Sequence, residues 1–244
     1  MTNFQNNNFE SYKAYLFEIK SKLLRFALIF GTVFLAGFFL AAPILKKMLY
    51  FFRVDNASIV ATSPFQFFSV AFDIALFLAI VVTFPVAIFL IFSFLKSALT
   101  KKERGIFKKA LFFSIILFCL GFSFGAGMMY YAIKFLAGFN YYLGIANMWN
   151  ISIFISQLLL ASALLGLCFQ FPIVLTLLVR LKIISVDVLR QKRRLAVMIV
   201  FIVAAILPPP EVMATVAIAI PLIFLYELTI FINRKYSLDL QGNL

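Results

Sequence analysis

From Phe67 to Phe94 the chain carries a single charge, Asp73. Such a run has no polar face to offer water, and at about 1.5 Å of helix per residue it is longer than a hydrocarbon core of about 30 Å requires. Further apolar runs cover residues 26–45, 110–135, 151–179, 195–207 and 212–232. In lipid every backbone N–H and C=O must be satisfied within its own segment, so these runs predict helices. The composition agrees: 64% hydrophobic and 13% charged residues, against about 45–50% apolar and about 25% charged in soluble domains. The expected fold is all-α: a polytopic membrane protein with six transmembrane helices. The fifth and sixth are short; the fifth has thirteen apolar residues, about 20 Å of helix, so the bilayer is expected to thin beside them.

The polar connections set the expected orientation. The net charge is +13, yet the cations stand in loops beside apolar spans, which is membrane topology rather than nucleic-acid binding. Eighteen of the 22 Lys and Arg residues lie in the N-terminal segment, the 2–3 and 4–5 loops and the C-terminus. That bias puts both termini in the cytoplasm, with a bacterial cytoplasmic membrane as the expected location. Phe9, Tyr12, Leu16, Ile19 and Leu23 form one stripe, predicting an amphipathic surface helix over 9–24. Residues 1–8 and 233–244 are expected to be disordered, and the N-terminus has no signal-peptide pattern. The chain has no histidine, and Cys119 and Cys168 sit apart in apolar runs, so no cofactor, metal site or catalytic residue is expected.

Several residues interrupt this pattern. Pro43, Pro85 and Pro172 lie within spans one, two and four, and Pro209-Pro210 turn the chain between spans five and six. Ser63-Pro64-Phe65-Gln66 predicts a helix start, and Gly121, Gly125 and Gly127 a small face for close helix packing. Residues 95–109 hold six cations and one acid, Glu103. Glu103 either closes a capping box with Thr100, pairs with Arg104 or Lys108, or binds a cationic ligand. Glu18 either pairs with Lys22 one turn on or serves a ligand. Gln170, deep in span four, either bonds a neighbouring helix or faces a polar concavity. Asp73 and Glu227 either belong to a proton path or pair with loop cations near the interfaces. Glu211 either caps span six or meets a partner's transmembrane end.

The order of these motifs resembles the TatC subunit of the twin-arginine protein translocase. Tyr15-Leu16-Phe17-Glu18-Ile19-Lys20-Ser21-Lys22-Leu23 is similar to the family's opening His-Leu-x-Glu-Leu-Arg-x-Arg-Leu, with Tyr15 for the histidine and Lys20 for the arginine. Ser63-Pro64-Phe65 resembles its start of span two, and Leu99-Thr100-Lys101-Lys102-Glu103-Arg104 its loop before span three. Phe169-Gln170-Phe171-Pro172 is similar to its Phe-Glu-x-Pro, with Gln170 for the glutamate, and Leu189-Arg190-Gln191-Lys192-Arg193 to its Leu-Arg-x-x-Arg. Pro209-Pro210-Glu211, Ala219-Ile220-Pro221-Leu222 and Leu225-Tyr226-Glu227 resemble its last run, with Glu211 for an aspartate.

The resemblance implies a non-enzymatic receptor that binds twin-arginine signal peptides of folded cargo. It further implies recruitment of TatA/TatB-type single-span subunits, homo-oligomeric assembly, and export driven by the proton-motive force. Two adjacent guanidiniums call for carboxylates. Glu103 and Glu18 match the family's recognition acids, with Phe94, Lys20 and Arg104 beside them; Gln170, Glu211, Glu227 and Asp73 are the intramembrane or partner-facing polar candidates. The competing reading is a secondary transporter or channel for a small solute, which would need paired ionisable groups near the midplane. A membrane enzyme lacks a nucleophile motif here.

Overall fold

The computed structural model describes residues 2–52, 57–95, 101–181, 183–208 and 212–241, without the side chains of 2–16, 18, 57, 91–95, 101–104, 106–107 and 235–241. No proline interrupts the first forty residues, and the surface helix and first span expected as two pieces form one helix, α1 (Thr2–Phe39), which also takes in residues 2–8. Pro43 has no N–H for the carbonyl of Phe39, so the ladder steps at Leu40 and resumes as α2 (Ala41–Phe51). Strand β1 (Ala57–Val60) leads to α3 (Gln66–Leu95), within which Pro85 causes no break. Helix α4 (Lys101–Tyr142) is followed by β2 (Asn147–Asn150).

Pro172 divides the fourth span. Helix α5 (Ile151–Cys168) ends, the chain turns through Phe169 and Gln170, and α6 (Phe171–Arg180) begins with the proline in its first turn. The short α7 (Val186–Gln191) and α8 (Arg193–Ile206) follow, then α9 (Val212–Gln241). Five stretches are long and apolar enough to cross a membrane, and the 14-residue α8, packed on α9, is the short sixth partner. Helix α9 continues past the expected end at residue 232 because Asn233 is fully buried and docks on α6 through Thr176 Oγ1 at 3.1 Å.

Helix starts follow local chemistry. Gln66 Oε1 accepts from the Thr62 N–H at 3.0 Å and its Nε2 donates to Thr62 Oγ1 at 2.7 Å, so the reciprocal cap sits one residue upstream of the expected Ser63. Asn150 Oδ1 accepts from the N–H groups of Ser152 and Ile153 to cap α5, and its Nδ2 reaches Thr62 Oγ1 at 2.8 Å. The strands, absent from the all-α expectation, pair in parallel with Ala57 opposite Asn147 and Val60 opposite Asn150. They join the two loops at one end of the bundle, the strand end; α7 lies at the other.

Helix α5 is the hub. Half of the α5–α6 span is buried, against 6% of the apolar window of α1. Val70, Ala71 and Ile74 of α3 and Met129 and Ile133 of α4 pack with Ile155 and Leu158 of α5 near the strand end. Leu165 and Phe169 then meet Val200 and Ala204 of α8 and Ile218 and Leu222 of α9, while Leu175, Leu189, Tyr226 and Ile230 close the opposite end.

Backbones approach closely where α4 crosses α5. A Cβ on Gly121 would lie 2.6 Å from the Leu165 carbonyl oxygen and 2.6 Å from Phe169 Cγ, and one on Gly125 2.8 Å from Ser162 Cα. Gly127, expected on the same face, has nothing within 4 Å of such a Cβ. It lies six residues from Gly121, on another side of the helix. Accordingly Gly121→Val and Gly125→Val should each destabilise the purified protein by about 1–3 kcal/mol, and Gly127→Ala should leave thermal unfolding in detergent unchanged or slightly raised.

Candidate functional site

Three polar constellations stand within the spans. The break that Pro172 makes turns the Gln170 side chain toward α4. There the Ser114 hydroxyl donates to Gln170 Oε1, while Nε2 donates to the Ser114 carbonyl at 3.1 Å and to the Gly166 carbonyl at 3.4 Å. The amide is thereby used from both ends and ties α4 to the α5–α6 junction as a neutral link. A cavity of about 290 Å³ lies beside it, walled by Phe84, Leu111, Ile173 and Leu177.

The second constellation lines the α3–α5 seam. Both helices start at the strand end and run parallel, so residues four apart on each meet in turn. The Ser152 hydroxyl reaches Ser69 Oγ at 3.3 Å, and one turn deeper the Ser156 hydroxyl donates to Asp73 Oδ2. Asp73 is half-buried and pairs with a hydroxyl rather than a loop cation among the described residues.

The third ties the last helix to the 4–5 loop. Arg193 Nη2 lies 3.0 Å from Glu227 Oε2, both side chains about half exposed, at 47% and 43%. A pair so open to solvent contributes about 0–1 kcal/mol. Firmer attachment comes from the buried Tyr226, whose hydroxyl donates to the Leu189 carbonyl at 2.7 Å and whose ring stacks on Phe171. Asn233 Nδ2 adds its bonds to Thr176 and to the Thr229 carbonyl.

Of the expected recognition residues, two lie within α1 and three at the facing ends of α3 and α4. Glu18 and an exposed Lys20 lie on α1, Phe94 next to the last residue of α3, and Glu103 and Arg104 in the first turn of α4. The side chains of Glu18, Phe94, Glu103 and Arg104 lie outside the described residues, as do Thr100, Pro209, Pro210 and Glu211 altogether.

A family model described as the Sec-independent protein translocase protein (TatC) matches residues 14–221. The chain belongs to the TatC family. It is 31% identical over 89% of its length to the Sec-independent protein translocase protein TatCy of Bacillus subtilis, covering 86% of that protein. With TatC of Rickettsia prowazekii it shares 29% identity, over 94% of this chain and 98% of that one. A crystal structure of the twin arginine translocase receptor TatC in DDM superposes with a TM-score of 0.77 at 28% identity, over 89% of this chain and 98% of the other. A second TatC receptor crystal structure gives a TM-score of 0.73 at 27% identity, over 91% and 99%. The chain is a six-span, multi-pass membrane protein and the receptor subunit of the twin-arginine translocase. Nothing in these likenesses supports the solute transporter.

The sequence singled out Gln170, Asp73 and Glu227 and offered a loop cation for Glu227, the role Arg193 takes, but it did not show the partners of Gln170 and Asp73. Ser114 and Ser156 are small hydroxyls inside apolar runs, and only the relative rotation of α3, α4 and α5 shows that they face an amide and a carboxylate. Depth along the spans was the available signal. A double-mutant cycle with Gln170→Leu and Ser114→Ala should return a coupling of about 0.6–2 kcal/mol in detergent unfolding, while Gln170→Leu paired with the remote Ser185→Ala should be additive.

Proposed function

We propose that this TatC subunit binds twin-arginine signal peptides on the cytoplasmic face, with both of its own termini on that side, in the cytoplasmic membrane of a bacterium. The observation that carries the reading is the position of Glu103. It is the only acid between Asp73 and Asp187, it stands among six cations, and it falls in the first turn of α4. A helix N-terminus favours a carboxylate and holds it against solvent. A pair of signal arginines would find there the one group able to accept charge-assisted, bidentate hydrogen bonds. Glu18, on a helix from another part of the chain, is the second carboxylate. Phe94 supplies apolar contact, and Lys20 and Arg104 border the site and repel misplaced cations.

Recruitment of single-span TatA/TatB-type subunits, assembly with further copies, and export of folded cargo at the expense of the proton-motive force complete the reading. Gln170 with its apolar cavity, Asp73, Glu227 and Glu211 are the candidate partner-facing polar groups. The family is a translocase component, and we assign the chain no catalytic chemistry of its own.

The test is export of a folded twin-arginine reporter in cells lacking their own TatC, with cognate single-span subunits supplied. The native chain should restore export and Glu103→Lys should abolish it; normal export by Glu103→Lys would sink the assignment. With the purified chain in nanodiscs, Glu103→Gln should weaken binding of a twin-arginine peptide about 10- to 100-fold. Replacing the peptide's arginine pair by lysines should erase most of the difference between the two proteins.

A further inference from the structure

At the strand end, α4, β2 and the start of α5 enclose a cleft of about 470 Å³. Its walls are apolar, from Ile133 and Leu136 of α4 and Phe154 of α5, with Asn140, Trp149 and Gln157 supplying polar groups. Among the described residues no Asp, Glu, Lys or Arg lines it. The cleft is open at its margin, where Met148 and Ile153 are 68% and 58% exposed.

Its polar groups are arranged by depth. Trp149 lines it, its ring stacked on Phe154 with centroids 6.2 Å apart, and such rings sit at the headgroup level of a bilayer. Gln157 lies six residues beyond the first residue of α5, about 9 Å further in. The polar zone on each side of the hydrocarbon is about 5–8 Å thick, so Gln157 falls where acyl esters meet the chains. Asn140 and Asn150 are occupied, Asn140 donating to Asn147 and Asn150 capping α5 and donating to Thr62. Among the described residues neither the Gln157 amide nor the Trp149 indole N–H meets a hydrogen-bond partner.

We propose that this cleft is a binding site for one glycerolipid of the surrounding bilayer, with an ester carbonyl on Gln157, the glycerol region against Trp149 and an acyl chain along Ile133, Leu136 and Phe154. The uncharged lining selects the ester and glycerol region over an anionic headgroup or a charged peptide. The bilayer supplies that chemistry at the right depth at all times. This site is at the opposite end from Glu103, and its occupancy is independent of signal recognition.

The chain contains one tryptophan, so Trp149 is its own reporter. The full-length protein in detergent is titrated with phosphatidylcholine brominated on the acyl chain, and the indole emission is followed. The expected result is saturable quenching at one lipid per chain. Gln157→Leu should raise the half-quenching concentration about tenfold, and Leu136→Phe, which fills the acyl track, should abolish the saturable part. Both variants are checked for unchanged helix content and unfolding temperature. Quenching that rises without saturation, or that is the same in all three proteins, overturns the site. So does emission that changes with protein concentration before any brominated lipid is added, which would make a second copy of the chain the occupant.

Discussion

The approach of α4 to α5 at Gly121 and Gly125 is the contact on which the remaining bundle depends. Lipid tails are as apolar as leucine, so helices in a bilayer gain little from burying apolar surface against one another and must pack closely instead. Two missing side chains let the α4 backbone rest on Ser162 and on the Leu165 carbonyl. Gly166 returns the favour to Phe118, where a Cβ would meet the ring at 2.9 Å. Phe118 in turn stacks on Phe84 of α3, with ring centroids 4.0 Å apart. One pair of glycines therefore sets the spacing of three helices, and with it the distance over which Ser114 can reach Gln170.

Proline governs where the polar groups sit along that scaffold. A broken ladder frees carbonyls and turns side chains out of the helix wall, and the α5–α6 junction uses both effects: Gln170 stands at the break and donates to the Gly166 carbonyl one turn back. The amide that replaces the family's glutamate is satisfied on all sides. In this chain the position holds two helices together without a charge to neutralise, whereas the half-buried carboxylate of the α3–α5 seam belongs to Asp73.

Much of this was readable from the residues. Apolar runs give the spans because insertion into lipid is decided segment by segment. The prolines were visible but not which of them breaks its helix: α3 runs on through Pro85, and the break falls at Pro172. What stayed hidden depends on how helices rotate against each other. Gly127 looked equivalent to Gly121 and Gly125, although only the last two are one turn apart on one face. The partners of Gln170 and Asp73 are serines with no signature of their own. Ala57-Ser58-Ile59-Val60 and Asn147-Met148-Trp149-Asn150 show no alternation that would mark them as strands, because their pairing comes from the placement of the helices on either side.

That pairing has a consequence for how the molecule is made. Val60 and Asn150 meet although two spans, α3 and α4, lie between them in the chain. As the polypeptide leaves the ribosome, the first strand must wait at the membrane surface until both spans have entered and the second strand has followed. Its hydrogen bonds close a long loop and reward no earlier step. Once formed, they hold the head of α3 beside the head of α5, with Asn150 and Thr62 fastening the join. The small sheet is a late clasp, completed after the helices it binds are in place.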